Sequence, residues 1–178
     1  YTHIFFAVGA WKAGNLRISG NVKPVIAWMQ AVKAGKPEPL GHVAVVGGGN
    51  TAMDAARLAL RAGAASSTLV YRRTRKYMPA DAEELELAVA DGVQFLELVS
   101  PVEQRDGKLI CRKMVLGEPD ASGRRSPVET DETVEILCDT VISAVGEQVD
   151  AEALAAYGIA ADSRGCPDFR TNLENVYT

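Results

Sequence analysis

Two short stretches carry residue types at a spacing that could do chemistry. Gly47-Gly48-Gly49-Asn50-Thr51-Ala52 fits the pattern G-x-G-x-x-G/A. Residues 70–75 read VYRRTR, with Lys76 directly behind, so four cations fall within five positions of a chain whose formal net charge is −4. A glycine pair alone is a weak signal, because such pairs are common. Here it follows an apolar strand-like run, opens a helix-like run, and sits in a βαβ unit of roughly 30 residues, which is the context that dinucleotide recognition requires. In that setting Gly47 makes the tight turn, and Gly49 lets the backbone approach a pyrophosphate with no Cβ in the way. Ala52 keeps the helix close to the strand, and unpaired N–H groups at the helix start face the anion.

The arginines then select among cofactors. A site of this kind usually places Asp or Glu near the end of the second strand, where it accepts from the ribose 2′-OH; a site for the phosphorylated cofactor has arginine there. The second strand ends at Tyr71, the next residues are Arg72 and Arg73, and no carboxylate follows until Asp81. An acid would repel a 2′-phosphate, whereas a guanidinium binds it bidentately. Arg72 and Arg73 are therefore assigned to that phosphate, Arg75 to a helping role and Lys76 to solvated surface. Tyr71 or an arginine plane could stack on the adenine. The competing reading is a solvated basic loop that keeps a sheet edge soluble. NADP(H) is preferred over NAD(H).

These residues need elements to position them. Tyr1–Ala10 has the aromatic and β-branched content of a strand. Residues 21–33 place Val25, Ile26, Trp28, Met29 and Val32 at helical spacing, followed by the turn-rich connector GKPEPLG (35–41). His42–Val46 reads as a strand covered on both faces, Asn50–Ala62 as a helix stopped at Gly63, and Ser67–Tyr71 as the next strand. Asp81-Ala-Glu-Glu84 resembles a capping box opening a helix to about Ala90, and Val93–Val99 follows as a strand. This β-α-β-α-β order predicts a parallel sheet with right-handed crossovers. Beyond residue 100 the period changes. KLICRKMVL (108–116), the turn segment GEPDASGRRS (117–126) and TVEILCDTVISAVG (133–146) read as a β-meander leading to a strand at Thr140–Val145, with a short helix expected at Ala151–Tyr157. The expected fold class is α/β: a Rossmann-like parallel sheet with helices on both faces, plus an antiparallel β-meander crossover.

Composition excludes several classes. Hydrophobic content of 47% and charged content of 24% are those of an ordinary globular core. No apolar run approaches the roughly 20 residues of a membrane span. The three cysteines, Cys111, Cys138 and Cys166, form no CxxC, and the only histidines are His3 and His42. A zinc site of the usual spacing and a redox CxxC pair are both excluded, and the odd count without a framework favours a reducing cytoplasm. The acidic balance argues against nucleic acid. A start at Tyr1, with no basic n-region, suggests an excised fragment with no signal sequence.

Three stretches together, VVGGGNTAMDAAR (45–57), VYRRTRKYMPADAEE (70–84) and DTVISAVGE (139–147), resemble the pyridine-nucleotide domain of the glutamate synthase small-subunit family, which includes the flavoprotein segment of dihydropyrimidine dehydrogenase. YMPADAEELELAVADGV and MVLGEPDASGRR look closest to its selenate reductase, or Fe–S oxidoreductase subunit, branch. The resemblance spans nearly the whole chain. It implies a two-dinucleotide-binding flavoprotein whose NADPH domain is inserted into an FAD domain: residues 1–20 as a stub of the FAD-domain edge (IFFAVGA, 4–10), 21–148 as the NADP(H)-binding domain, and 149–178 as the returning connection (RTNLENVYT, 170–178). It further implies that Gly48, Gly49, Asn50 and Thr51 contact the pyrophosphate side, and Arg72 and Arg73 the 2′-phosphate. Ala144, Val145 and Gly146 would line the path toward the nicotinamide, the plain alternative there being a strand end with a glycine turn. FAD is implied in the full-length parent, Fe–S clusters in the parent or a partner subunit, and the FAD domain of the same polypeptide as neighbour. Thioredoxin reductases carry a related arginine pair but also a CxxC, which this chain lacks.

No catalytic acid, base or nucleophile is expected, because the cofactors carry the chemistry. Glu83, Glu84 and Glu86 are better explained as the exposed face of a capped helix. The expected function is transfer of hydride from NADPH to FAD and of electrons onward to a partner centre. The rivals are an NADP(H)-sensing module without a redox step and an NAD(H)-preferring relative.

Overall fold

A computed structural model describes residues 1–178 apart from Trp11, Asn15, Pro37, Ser122 and Arg164. Pro37 of the connector and Ser122 of the turn segment thus lie outside the described residues. The chain divides into two compact units, Asn15–Gly146 and a smaller one built from Tyr1–Gly14 with Glu147–Thr178.

In the larger unit the strands are β1 (Val22–Pro24), β2 (His42–Val46), β3 (Ser66–Tyr71), β4 (Gln94–Glu97), β5 (Val99–Arg105), β6 (Lys108–Pro119), β7 (Arg125–Leu137) and β8 (Thr140–Ser143). The helices are α1 (Val25–Lys33), α2 (Asn50–Arg61) and α3 (Ala82–Ala90). Five strands form one sheet in the order β1-β8-β2-β3-β4, every neighbouring pair parallel. β5, β6 and β7 form a separate antiparallel sheet.

The alternation along β2 shows how the layers assemble. Val43 and Val45 join Ala52, Met53, Ala55, Ala56 and Ala59 of α2, Trp28 of α1 and Ala88 of α3 in one core. Ala44 and Val46 face the other way, into a core with Val70, Val99, Leu109, Cys111, Cys138 and Val141. The four alanines and one methionine on the inner face of α2 let its axis approach the sheet closely, and burying Met53 stabilises the unit by roughly 2–3 kcal/mol. The class is the expected α/β with an antiparallel crossover. The second face, however, is covered by the meander where a helix was expected. β5–β7 supply a half-apolar surface of their own, and among the described residues no helix contributes to that core.

Two boundaries moved and one expected cap is absent. Residues 22–24, inside the expected helix 21–33, are strand, because Pro24 fixes an extended turn into α1 and supplies its N-cap backbone (φ −62°, ψ 133°). The expected strand Val93–Val99 is broken at Leu98, whose φ of 56° turns the chain from the parallel sheet into the meander. The left-handed conformation is held by two backbone bonds: Leu98 N–H donates to the Arg73 carbonyl at 3.2 Å, and the Leu98 carbonyl accepts from Met114 N–H at 2.8 Å. The Asp81 side chain makes no capping bond to α3, because it is engaged elsewhere.

In the smaller unit Ile4–Phe5 pairs in parallel with Val176–Tyr177, and Lys12–Ala13 pairs antiparallel with Glu147–Gln148. The strand expected over Tyr1–Ala10 is thus confined to two residues. A helix at Ala151–Ala156 is capped by Asp150, whose carboxylate accepts from Ala153 N–H at 3.2 Å.

Candidate functional site

Strand order reverses at β2: β3 and β4 continue to one side, while β8 and β1 lie on the other. In open α/β sheets ligands bind outside the carboxyl ends of strands at such a switch point. The run Gly47–Ala52 leaves β2 there and passes directly into α2.

Each glycine meets a different neighbour. A Cβ at Gly47 would lie 2.3 Å from the Ala144 carbonyl oxygen, so β2 and the end of β8 approach too closely for any side chain. A Cβ at Gly48 would lie 2.5 Å from Cε2 of Tyr71, so the loop rests on that ring. A Cβ at Gly49 would meet nothing within 4 Å, and the space beside the start of α2 is open. The carbonyl of Gly49 accepts from Ala52 and Met53 at 2.9 and 3.2 Å. Among the described residues the amides of Gly49, Asn50 and Thr51 have no acceptor. Open space in front of unpaired amides at the positive end of a 12-residue helix fits a phosphate group. Ala52 is fully buried against the sheet.

The loop that follows β3 separates its cations. Arg72 is exposed and, among the described residues, has no hydrogen-bond or ion-pair partner. Arg73 is 8% exposed, and its Nε donates to the Arg125 carbonyl at 2.9 Å, tying the loop to β7. Arg75 is committed to Glu97: its backbone N–H and its Nε donate to the carboxylate at 2.9 and 2.8 Å, and its guanidinium lies 4.8 Å from the Phe95 ring centre. Lys76 is exposed. Of the two arginines expected at the 2′-phosphate, Arg72 is free among the described residues and Arg73 is anchored, while the expected helper Arg75 is paired.

Tyr71 departs from the expectation of adenine stacking. Its ring is buried beneath Gly48 and its hydroxyl donates to the Tyr77 carbonyl at 2.8 Å, so it supports the cradle from below. Asn50 likewise uses its side chain internally. Its Oδ1 accepts from Asp81 N–H at 2.9 Å and its Nδ2 donates to the Asp81 carboxylate at 2.8 Å, while its backbone amide has no acceptor among the described residues. Ala144 is buried beside Gly47, Val145 is 44% exposed, and Gly146 turns the chain with φ +102°. Asp81 and Glu97 were not anticipated as parts of this region. Glu97 had a signal in the strand pairing, since it ends β4 in register with Tyr71 at the end of β3.

A glycine turn from strand to helix at the switch point of a parallel sheet is the arrangement of the dinucleotide-binding α/β folds. The chain belongs to the pyridine nucleotide-disulphide oxidoreductase family, which it matches over residues 1–178. It is 46% identical over 184 residues to the Escherichia coli (strain K12) protein named "Putative oxidoreductase YgfK", covering the whole chain and 18% of that relative. Identity is 44% over 164 residues to the NADPH-Fe(3+) oxidoreductase subunit beta of Geobacter sulfurreducens, covering 83% of the chain and 24% of the relative. It is 40% over 150 residues to the glutamate synthase [NADPH] small chain of Halomonas elongata, covering 76% and 32%. The chain therefore spans only about a fifth to a third of these curated relatives. The solved structure of FprA from Mycobacterium tuberculosis in complex with NADPH shares the fold, with a TM-score of 0.76 at 19% identity, over 99% of this chain and 57% of that one.

Proposed function

We propose that this chain is the NADPH-binding part of a flavin-linked oxidoreductase. When both cofactors are bound, NADPH supplies a hydride to FAD, and electrons continue to an Fe–S centre in the same polypeptide or in a partner subunit. The observation that carries this reading is the open space at Gly49, with its unpaired amides, in the same unit as an arginine, Arg72, that has no partner. The amides of Gly49, Asn50 and Thr51 bind the pyrophosphate. Arg72 binds the 2′-phosphate, and Arg73 holds the backbone from which Arg72 projects. Ala144–Gly146, packed against Gly47, form the wall on the nicotinamide side. These residues bind and orient; none moves a proton.

The names of several relatives support NADPH as reductant, since they print it or NADP(+). The parallel pairing of Ile4–Phe5 with Val176–Tyr177 supports the smaller unit as an edge of a flavin domain, because it brings both ends of the chain into one ladder. Among the described residues no group of three or more His, Cys, Asp or Glu could hold a metal ion. Among the described residues no helix is long and apolar enough to cross a membrane.

The test is a titration of the intact polypeptide with NADPH and NADH, in the wild type and in Arg72→Ala. Charge-assisted bonds to a phosphate are worth about 1.5–3 kcal/mol, so Arg72→Ala is expected to weaken NADPH roughly 10- to 100-fold while leaving NADH nearly unchanged. Equal wild-type affinities for the two nucleotides would overturn the assignment.

A further inference from the structure

Residues 72–81 leave β3 and return to the phosphate cradle at several points. Tyr71, where the loop begins, lies under Gly48, and its hydroxyl donates to the Tyr77 carbonyl at 2.8 Å. At the far end Ala80 N–H donates to the Gly48 carbonyl at 3.0 Å. Asn50, the first residue of α2, then grips Asp81 twice: Oδ1 takes its N–H at 2.9 Å and Nδ2 reaches its carboxylate at 2.8 Å. The loop that carries Arg72 is thus strapped across the cradle by side-chain and backbone bonds at both ends.

The Asp81 carboxylate is not where helix capping alone would put it. Asp81 occupies the N-cap position of α3 with extended backbone (φ −64°, ψ 146°), yet its side chain makes no bond to the α3 amides. It gives up the usual gain of an N-cap and bonds the side chain of a residue whose own amide faces the cradle. A carboxylate there also places negative charge near the proposed phosphate site, which simple electrostatics disfavours.

From this geometry we infer that Asn50 and Asp81 are specificity-determining positioning residues. Together they hold the 72–81 loop closed on the cradle, so that the loop carrying the unpartnered Arg72 is fixed to it. This inference rests on the reading of Arg72 as the 2′-phosphate ligand. Holding the loop beforehand removes the cost of ordering its backbone at the moment of binding and leaves only the Arg72 side chain to be ordered. NADH, which lacks the 2′-phosphate, gains nothing from the clamp.

The experiment measures dissociation constants for NADPH and NADH on the intact polypeptide, in the wild type, Asp81→Ala, Asp81→Asn, Arg72→Ala and the double variant Arg72→Ala/Asp81→Ala. Asp81→Ala removes the acceptor of Asn50 Nδ2 and is expected to lower the preference for NADPH five- to tenfold, with NADH affinity within twofold of wild type. Asp81→Asn keeps an acceptor without the charge and is expected to restore the preference. In the Arg72→Ala background Asp81→Ala should leave the remaining preference unchanged, because the clamp acts through Arg72. The inference is overturned if Asp81→Ala weakens both nucleotides equally. It is also overturned if Asp81→Ala raises the NADPH preference, as removal of a repelling charge alone would, or still lowers it when Arg72 is absent. If Arg72→Ala itself leaves the preference intact, the underlying phosphate assignment fails, and that result is distinct from a failure of the clamp.

Discussion

Gly47 and Gly49 stand two residues apart in one loop, and the structure assigns them opposite consequences on substitution. A methyl at Gly47 would sit 2.3 Å from the backbone oxygen of Ala144, well inside contact distance. The obstacle is main chain at the end of a buried strand, so it cannot rotate aside. The backbone there, at φ +156°, is also one that side chains rarely adopt. Overpacking of this kind costs about 1–3 kcal/mol, and with the added backbone strain Gly47→Ala should cost roughly 2–4 kcal/mol. At about 2–4 °C per kcal/mol for a chain of this length, its thermal midpoint should fall by roughly 4–16 °C. A methyl at Gly49 meets nothing within 4 Å, and φ −94° suits any residue, so Gly49→Ala should unfold within a few degrees of wild type. That methyl would nevertheless stand in the space proposed for pyrophosphate, and NADPH affinity should fall at least tenfold. The assay pairs thermal unfolding by circular dichroism with a nucleotide titration of each folded variant. Wild-type stability in Gly47→Ala, or wild-type NADPH affinity in a folded Gly49→Ala, would refute the reasoning from which the site is built.

Three further outcomes are expected. Arg75→Ala breaks an exposed pair with Glu97 and a contact with Phe95, so urea titration should show a loss of about 1 kcal/mol or less, while nucleotide preference stays as in the wild type. Burial pushes the Cys111 thiol up to about 12 and the Cys138 thiol up to about 11, whereas Cys166 is exposed. A thiol reagent at pH 8 should therefore label Cys166 alone in the folded protein. Since the two folded values lie above the ordinary 9.0, unfolded thiols lose protons first, and stability should decline as pH rises above about 9; Cys138→Ala should flatten that decline. The hydrogen bond from Arg57 holds the Asp91 carboxyl below its usual 3.8. Its contribution is present above that value and lost as pH falls through the lower folded value. Asp91→Asn should remove this part of the acid transition in urea titrations between pH 5 and pH 2.

The parallel sheet, its three helices and the glycine turn were legible because each rests on local sequence. The short apolar run HVAVV, the alanine spacing in NTAMDAARLALR and the glycine run between them are local patterns of a residue with its own neighbours in the chain. His42–Val46 and the start of α2 at Asn50 lie where those patterns put them. The cations after β3 were legible as a cluster for the same reason.

Which of those cations is free was decided only by the tertiary structure. Arg73 is anchored by a carbonyl 52 residues away, and Arg75 by a carboxylate 22 residues away on the neighbouring strand. Tyr71 became a support and not an adenine platform because Gly48 closes over its ring. The apparent capping box at Asp81 failed because Asn50, 31 residues earlier, competes for the same carboxylate. The second face of the sheet went to the meander because Leu98 turns the chain there, a change of direction that hydrophobic period does not encode. Local spacing thus determined most of the elements and the glycine turn of this protein. Which charges remain available to a ligand depends on partners that only folding brings within hydrogen-bonding distance.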